Sequence, residues 1–143
     1  MGLSVPGCAF CEIAAGTRPA AVVHGDESCL AFLDARPLFL GHVLVVPRHH
    51  VPALADAAAD VTASLFELVR RVAAAVEHGL GADGSFVAVN NRVSQSVPHL
   101  HVHVVPRHKK DGLRGFFWPR VRYADDDEIE RYRARIAAVL GAP

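Results

Sequence analysis

The chain has 143 residues, 51% of them hydrophobic and 21% charged, proportions that fit one compact domain better than two. Its 15 Lys+Arg balance 15 Asp+Glu, so bulk charge gives no basic footprint for nucleic acid or an acidic membrane. No apolar run approaches the roughly 20 residues of a membrane span, and the opening MGLSVPGCAFCEIAAG lacks a signal peptide's basic and apolar regions.

A cytoplasmic protein is therefore expected, and its three cysteines, an odd number, are read as reduced or metal-bound thiols. The compositional excess is histidine: there are nine, with six at positions 49, 50, 99, 101, 103 and 108.

In chain order, β-type runs are predicted at 21–24, 29–33, 42–46, 85–89 and 99–105, separated by turn residues such as Gly25-Asp26, Arg36-Pro37 and Gly41. Between the third and fourth, Val61, Leu65, Leu68, Val69, Val72 and Val76 recur at helical spacing, and Gly79 predicts the stop. A second helix is predicted from Asp126 to Leu140, with Ile129, Tyr132, Ile136, Val139 and Leu140 as its apolar stripe. Acids at 125 to 128 and 130 precede Arg131, Arg133 and Arg135, as the helix dipole favours, so the acidic run reads as a helix start rather than a binding tail. Paired strands, a long helix, two more strands and a final helix spell an α+β fold. The expected organisation is one domain over 1–143, with a core at about 8–106 and a basic, aromatic segment plus helix at 107–143.

From Ser96 to Pro106 polar and apolar residues alternate. On a strand this puts His99, His101 and His103 on one face and Leu100, Val102 and Val104 on the other. Histidine is a poor strand former with a polar ring, so three on one face point to chemistry rather than packing. In one reading they hold a catalytic metal with an open coordination position. In the other, one neutral imidazole is a nucleophile and its neighbours position an anion. The uncharged groups of Asn90, Asn91, Gln95 and Ser96, with no carboxylate between Gly84 and Val105, favour the second and suit phosphate.

The run HLHVHVV, preceded by Gln-Ser-Val, resembles the signature of the histidine triad family of nucleotide hydrolases and transferases, His-φ-His-φ-His-φ-φ with φ apolar. The resemblance extends from about Cys8 to Arg122 through CAFCEIAAG, LAFLDARP, GHVLVVPRHH and VNNRVSQSVPHLHVHVVPR. It points to bacterial members related to dinucleoside polyphosphate hydrolases and nucleoside phosphoramidases. It implies a five-stranded antiparallel sheet with one long and one C-terminal helix, and a homodimer joined through the long helix and a neighbouring strand. The implied reaction is hydrolysis at a nucleotide α-phosphate through a covalent nucleotidyl-histidine, releasing a nucleoside monophosphate. Nucleotidyl transfer, phosphorolysis, and nucleotide binding without turnover are the alternatives.

Residue by residue, the resemblance implies His101 as the nucleophile and His103 as a donor to a phosphate oxygen. It implies Ser96, beside Gln95, and one of Asn90 or Asn91 on the phosphate or leaving-group side, and His42 as a supporting hydrogen-bonding residue. The turn before Gln95 is shorter than in many relatives, which leaves the choice of asparagine open. Asp34 matches the acceptor of both ribose hydroxyls, apt because a cis diol offers two donors to two carboxylate oxygens. Phe10, Ile13, Phe32 and Leu33 match an apolar slot for the base.

Cys8-Ala-Phe-Cys11 has the spacing that lets two sulfurs meet one tetrahedral ion; a redox pair or two small buried residues are the other readings. The resemblance implies zinc, with His50 (rather than the adjoining His49) and His99 completing the set. Four protein ligands close the sphere, so this zinc would be structural, and His99 would not serve as an acid. Cys29 reads as an ordinary buried thiol. Finally, Arg107, Lys109, Lys110, Arg114, Arg120 and Arg122 surround Phe116-Phe117-Trp118 against the single Asp111. This segment reads either as a solvated loop or as cations for distal phosphates, with Trp118 closing the nucleotide pocket.

Overall fold

The structure is a computed structural model that describes residues 4–114 and 120–141; Trp118, Phe116 and Phe117 lie outside the described residues. The chain divides into two units, Met1–Asp111 and Gly112–Pro143.

The first unit runs α1 (Ala9–Ala14), β1 (Val22–Gly25), β2 (Cys29–Leu33), β3 (Val43–Pro47), a 3-10 turn (Leu54–Asp56), α2 (Ala59–Leu80), β4 (Gly84–Ala88) and β5 (Val102–Arg107). The strands form one antiparallel sheet in the order β1-β2-β3-β5-β4. The α+β expectation and its five strands stand. β1, β3 and β4 lie one residue from their predicted bounds, and two further boundaries differ for physical reasons. The last strand begins at Val102 rather than His99. Pro47, beyond the last β3–β5 pair Val45↔Val102, has no N–H to give, and its carbonyl accepts from the His99 ring at 2.8 Å. The long helix ends at Leu80 and not at Gly79; Gly81, with φ 65°, takes the left-handed cap position. The extra residue delivers Leu80 against Gly41, where any Cβ would collide with the leucine Cδ1.

Period-two alternation sorts the sheet into two faces. Cys29, Ala31, Val43, Val45, Leu100, Val102 and Val104 pack on Leu65, Leu68, Val69, Val72 and Val76 of α2. Leu30, Phe32, Leu44 and Val46 face the other way and pack on Cys8, Phe10 and Cys11 at α1. The three histidines share this second side of the chain even though His99 and His101 precede the strand. An extended lead-in, held by Leu100 N–H to the Val51 carbonyl at 2.6 Å, keeps the alternation going.

The second unit holds α3 (Asp126–Leu140), with the predicted bounds. Asp125 caps it by accepting from Glu128 N–H at 2.8 Å, and the Glu128 carboxylate accepts from Ala124 N–H at 2.7 Å, a reciprocal cap of the kind that fixes a helix start. None of its residues is buried.

Candidate functional site

The histidine face gathers its groups around Phe10, whose ring meets His101 edge-on at 5.1 Å, His99 at 5.9 Å and Phe32 at 5.5 Å between centroids. His101 and His103 lie 5.0 Å apart by the same measure. His99 and His101 are buried, and His103 is half-buried.

Hydrogen bonds assign the tautomers. His42 Nδ1 accepts from Leu38 N–H at 3.0 Å, so the proton of a neutral His42 sits on Nε2. That Nε2–H donates to His103 Nδ1 at 2.9 Å, which leaves the His103 proton on Nε2. His101 Nδ1 lies 2.7 Å from the His99 carbonyl, an acceptor only, so its proton is on Nδ1 and the Nε2 lone pair is free. One relay therefore ends in an N–H donor, and the adjacent ring presents a bare nitrogen.

Burial keeps the relay neutral. Desolvation, then the neighbouring His101 and His42 rings, lowers the His103 pKa to about 4 against a weaker opposing pull from Asp34. Burial also lowers that of His42, again with Asp34 opposing. The 3.7 Å approach of His42 Nε2 to Asp34 Oδ2 is thus no ion pair at neutral pH, and it is too long for a hydrogen bond. A pH consequence follows. Both folded-state values lie below the ~6.5 of a free imidazole, so from there toward pH 4 the unfolded chain binds more protons and stability falls as pH falls. Urea midpoints should drop between pH 7 and pH 4.5, and less steeply for His103→Gln; equal slopes would remove His103 as a source.

A second cluster lies behind His99. Its Nε2–H is spent on Pro47, so Nδ1 offers a lone pair, 3.5 Å from Cys8 Sγ and 3.5 Å from Cys11 Sγ. His50 Nδ1 lies 3.4 Å from Cys11 Sγ, and all four ligand atoms fall within 4.8 Å of one another. Thiol hydrogen bonds fit this set poorly, because Cys11 has one S–H for two imidazole nitrogens and His99 Nδ1 one lone pair for two thiols. A tetrahedral zinc with Zn–S about 2.3 Å and Zn–N about 2.0 Å puts S and N roughly 3.5 Å apart, which is the observed spacing. Val5 N–H points at Cys11 Sγ from 3.5 Å, an outer contact suited to a thiolate. Burial raises the Cys8 thiol pKa, so a metal would have to displace its proton. His50, as expected, and not the exposed His49 joins the cluster.

The triad does not converge as one metal site. Among the described residues the other potential ligand group is Asp34, His42 and His103. There the Nδ1 lone pairs of both histidines already accept hydrogen bonds.

The other predicted residues divide. Asp34 is half-buried beside His42; its Oδ1 accepts from Arg36 N–H at 2.9 Å, a turn-forming contact that occupies one oxygen and leaves the other available. Ile13 packs with Phe10 and Phe32. Leu33 is a correction. It follows Phe32 on β2 and so points to the opposite face, where it lines a groove with Leu68 and Val72 of α2. Gln95 is another: its Oε1 accepts from Arg92 N–H and its Nε2 donates to the Pro52 carbonyl, both at 2.7 Å, which commits the amide to bracing the loop. Asn91 Oδ1 accepts from Leu54 N–H at 2.8 Å, whereas Asn90 and Ser96 are exposed. Arg92 was not foreseen. With φ 67° it pairs through one nitrogen with both oxygens of Asp56 at 3.0 Å, fixing the loop that carries Ser96. Cys29 is fully buried, its thiol pushed up to about 11 by desolvation, hence inert. Arg107, at the end of β5, gives its guanidinium to Asp111 at 2.6 and 3.0 Å, an ion pair internal to the basic segment.

Comparison with known proteins accords with this geometry. The HIT domain family model matches residues 15–110. The adenylylsulfatase HINT3 of Arabidopsis thaliana is 34% identical over 108 residues, covering 74% of this chain and 55% of its own length. The asymmetrical bis(5'-nucleosyl)-tetraphosphatase of Schizosaccharomyces pombe is 40% identical over 92 residues, covering 63% of this chain and 50% of its own. The chain thus spans only about half of each of these relatives. The crystal structure of a zinc-bound histidine triad family protein from Mycobacterium smegmatis superposes with a TM-score of 0.72 at 35% identity, covering 96% of this chain and 98% of that one.

Proposed function

The chain belongs to the HIT domain family, and from that premise we propose that it is a nucleotide hydrolase acting at the α-phosphate through His101. Dinucleoside polyphosphates or nucleoside phosphoramidates are the proposed substrates, and a nucleoside monophosphate is the product. The observation that carries this reading is the pair of opposed tautomers: a lone pair on His101 Nε2 beside an N–H on His103 Nε2.

In the first half-reaction His101 Nε2 attacks the α-phosphorus, forming an N–P bond as the bond to the leaving oxygen or nitrogen breaks. The leaving group departs with that electron pair and takes a proton from water at the Ser96 rim. Positive charge that develops on the imidazole is met by the His99 carbonyl, which already accepts the Nδ1–H. His103 Nε2–H, held in place by His42, donates to a non-bridging oxygen. In the second half-reaction water attacks phosphorus, gives up a proton to solvent, and the N–P bond breaks to return His101 with its lone pair.

Asp34 is proposed to hold the ribose and Phe10, Ile13 and Phe32 the base. Cys8, Cys11, His50 and His99 would hold zinc, which when bound supplies a cross-link. A homodimer in the cytoplasm completes the reading, and no helix among the described residues is long and apolar enough to cross a membrane.

A product assay with a dinucleoside tetraphosphate and a nucleoside phosphoramidate tests it. Monophosphate from both, with a transient nucleotidyl-protein adduct, is expected. A diphosphate formed when inorganic phosphate is added would make the enzyme a phosphorylase, and binding without products would make it a binding protein. Asp34→Asn keeps the acceptor that the Arg36 turn needs. It should raise KM about tenfold for a ribonucleotide and hardly change it for the 2′-deoxy analogue. Equal effects on both would place the ribose elsewhere.

A further inference from the structure

Cys8-Ala-Phe-Cys11 has a second chemistry besides ligation, because two thiols that face one ion can also be joined by a two-electron oxidant. Their placement favours it. The ligand atoms of Cys8, Cys11, His50 and His99 lie within 4.8 Å of one another, and a disulfide asks for about 2 Å between its sulfurs. Cys8 can supply the movement. It stands before α1 with extended backbone, φ −81° and ψ 115°, so its side chain can turn toward Cys11 without unwinding the helix.

The cluster is sealed at one end and open at the other. Cys11 and His99 are 3 and 0% exposed, whereas Cys8 and His50 line a groove of about 430 Å³ together with Val5, Gly7, Ala9 and Ser96. Hydrogen peroxide, little larger than the roughly 30 Å³ of a water molecule, enters such a groove freely. A coordinated cysteine is a thiolate, so Cys8 meets that molecule as a nucleophile. Oxidation here reaches the histidine face through one residue. The His99 ring is held by the Pro47 carbonyl at 2.8 Å and faces both sulfurs, and its own carbonyl holds His101 Nδ1–H at 2.7 Å.

We propose that Cys8 and Cys11 are a peroxide-sensitive pair whose oxidation to a disulfide empties the metal site and loosens His101. Cys8 Sγ attacks one peroxide oxygen: an S–O bond forms as the O–O bond breaks, and hydroxide leaves and takes a proton from solvent. Cys11 Sγ then attacks Cys8 Sγ, forming the S–S bond as the S–O bond breaks, and a second hydroxide leaves in the same way. Two electrons have passed from sulfur to peroxide, with two waters as the other product. His50 and His99 remain as two ligands, too few to retain zinc. The oxidation does not rest on the hydrolase reading; its effect on turnover does.

The test treats the zinc-loaded wild-type chain with excess hydrogen peroxide, following zinc release with a chromogenic chelator and the thiols by peptide mass. A linked Cys8–Cys11 peptide with two hydrogens fewer is expected, appearing at the rate of zinc release with one ion freed for each disulfide. Cys29, fully buried with its thiol pushed up to about 11, is the internal control and should react at least about tenfold more slowly. Dithiothreitol with added zinc should restore both thiols and the metal. Zinc and thiols retained while free cysteine in the same tube is oxidised would overturn the proposal. So would zinc lost with oxygen added to either sulfur and no disulfide. Nucleotide turnover in the same samples should fall about 10- to 100-fold with the disulfide and recover on reduction, the scale of an outer-shell support. Unchanged turnover in the oxidised chain would overturn the link to His101. If the reduced chain hydrolyses no nucleotide, the hydrolase reading fails, and the zinc and mass readings still decide the oxidation.

Discussion

His101→Asn is expected to lower turnover of any nucleotide substrate by about 10⁴-fold or more, a barrier increase of about 5 to 6 kcal/mol, with nucleotide affinity changed only a fewfold. The asymmetry comes from where the side chain sits. Its Nδ1–H is tied to the His99 carbonyl at 2.7 Å and its ring is wedged edge-on against Phe10 at 5.1 Å, so the asparagine amide can fill the same space and still donate to that carbonyl. What the amide cannot supply is a nucleophilic lone pair where Nε2 was. Single-turnover assays would then show bound substrate, no nucleotidyl adduct and no monophosphate. His42→Ala should fall between this variant and wild type. It removes the donor that fixes the His103 tautomer, so His103 could turn either nitrogen toward the phosphate, but the nucleophile stays in place. Turnover by His101→Asn at the wild-type rate would end the covalent mechanism.

What could be read from sequence was what local chemistry decides. β2 and α3 match because the short unbroken apolar run CLAFL marks Cys29–Leu33 and because Asp125 with Glu128 announces a helix start. The last strand began later than alternation suggested because the Pro47 carbonyl is taken by an imidazole 52 positions away, a contact no local pattern encodes. Gly79 and Gly81 are equally good stops on composition; the packing of Leu80 on Gly41 decides between them. Among site residues, HLHVHVV exposed the triad, and strict alternation would already have separated Phe32 from Leu33, which the family resemblance grouped together. The roles of Gln95 and Arg92 were hidden, since their partners Pro52 and Asp56 lie 43 and 36 positions away. The same holds for the His42–His103 bond, 61 positions apart, whose direction depends on a backbone N–H at Leu38.

The Cys8→Ser, Cys11→Ser double variant should lose its metal, from one zinc ion per chain to near none, and should melt about 10 °C or more below wild type. Cys11 and His99 are 88 positions apart, so an ion joining them closes most of the chain into a loop. A cross-link of that span is worth roughly 4 to 5 kcal/mol in the chain-entropy picture, and about 1 kcal/mol moves the midpoint of a domain this size by about 3 °C. Removing the thiolates also leaves His99 and His50 as two ligands, too few for a structural zinc. Elemental analysis beside calorimetry separates this site from a catalytic metal on the histidine face. Metal retained by the double variant and lost by His101→Asn would move the ion to the triad and overturn the assignment. Activity should respond less than stability. His99 joins both systems, its ring to the thiols and its carbonyl to the His101 Nδ1–H, so loosening the ring relaxes the orientation of His101 without removing its lone pair. A loss of about 10- to 100-fold is the scale expected of an outer-shell support, well short of the loss from His101→Asn.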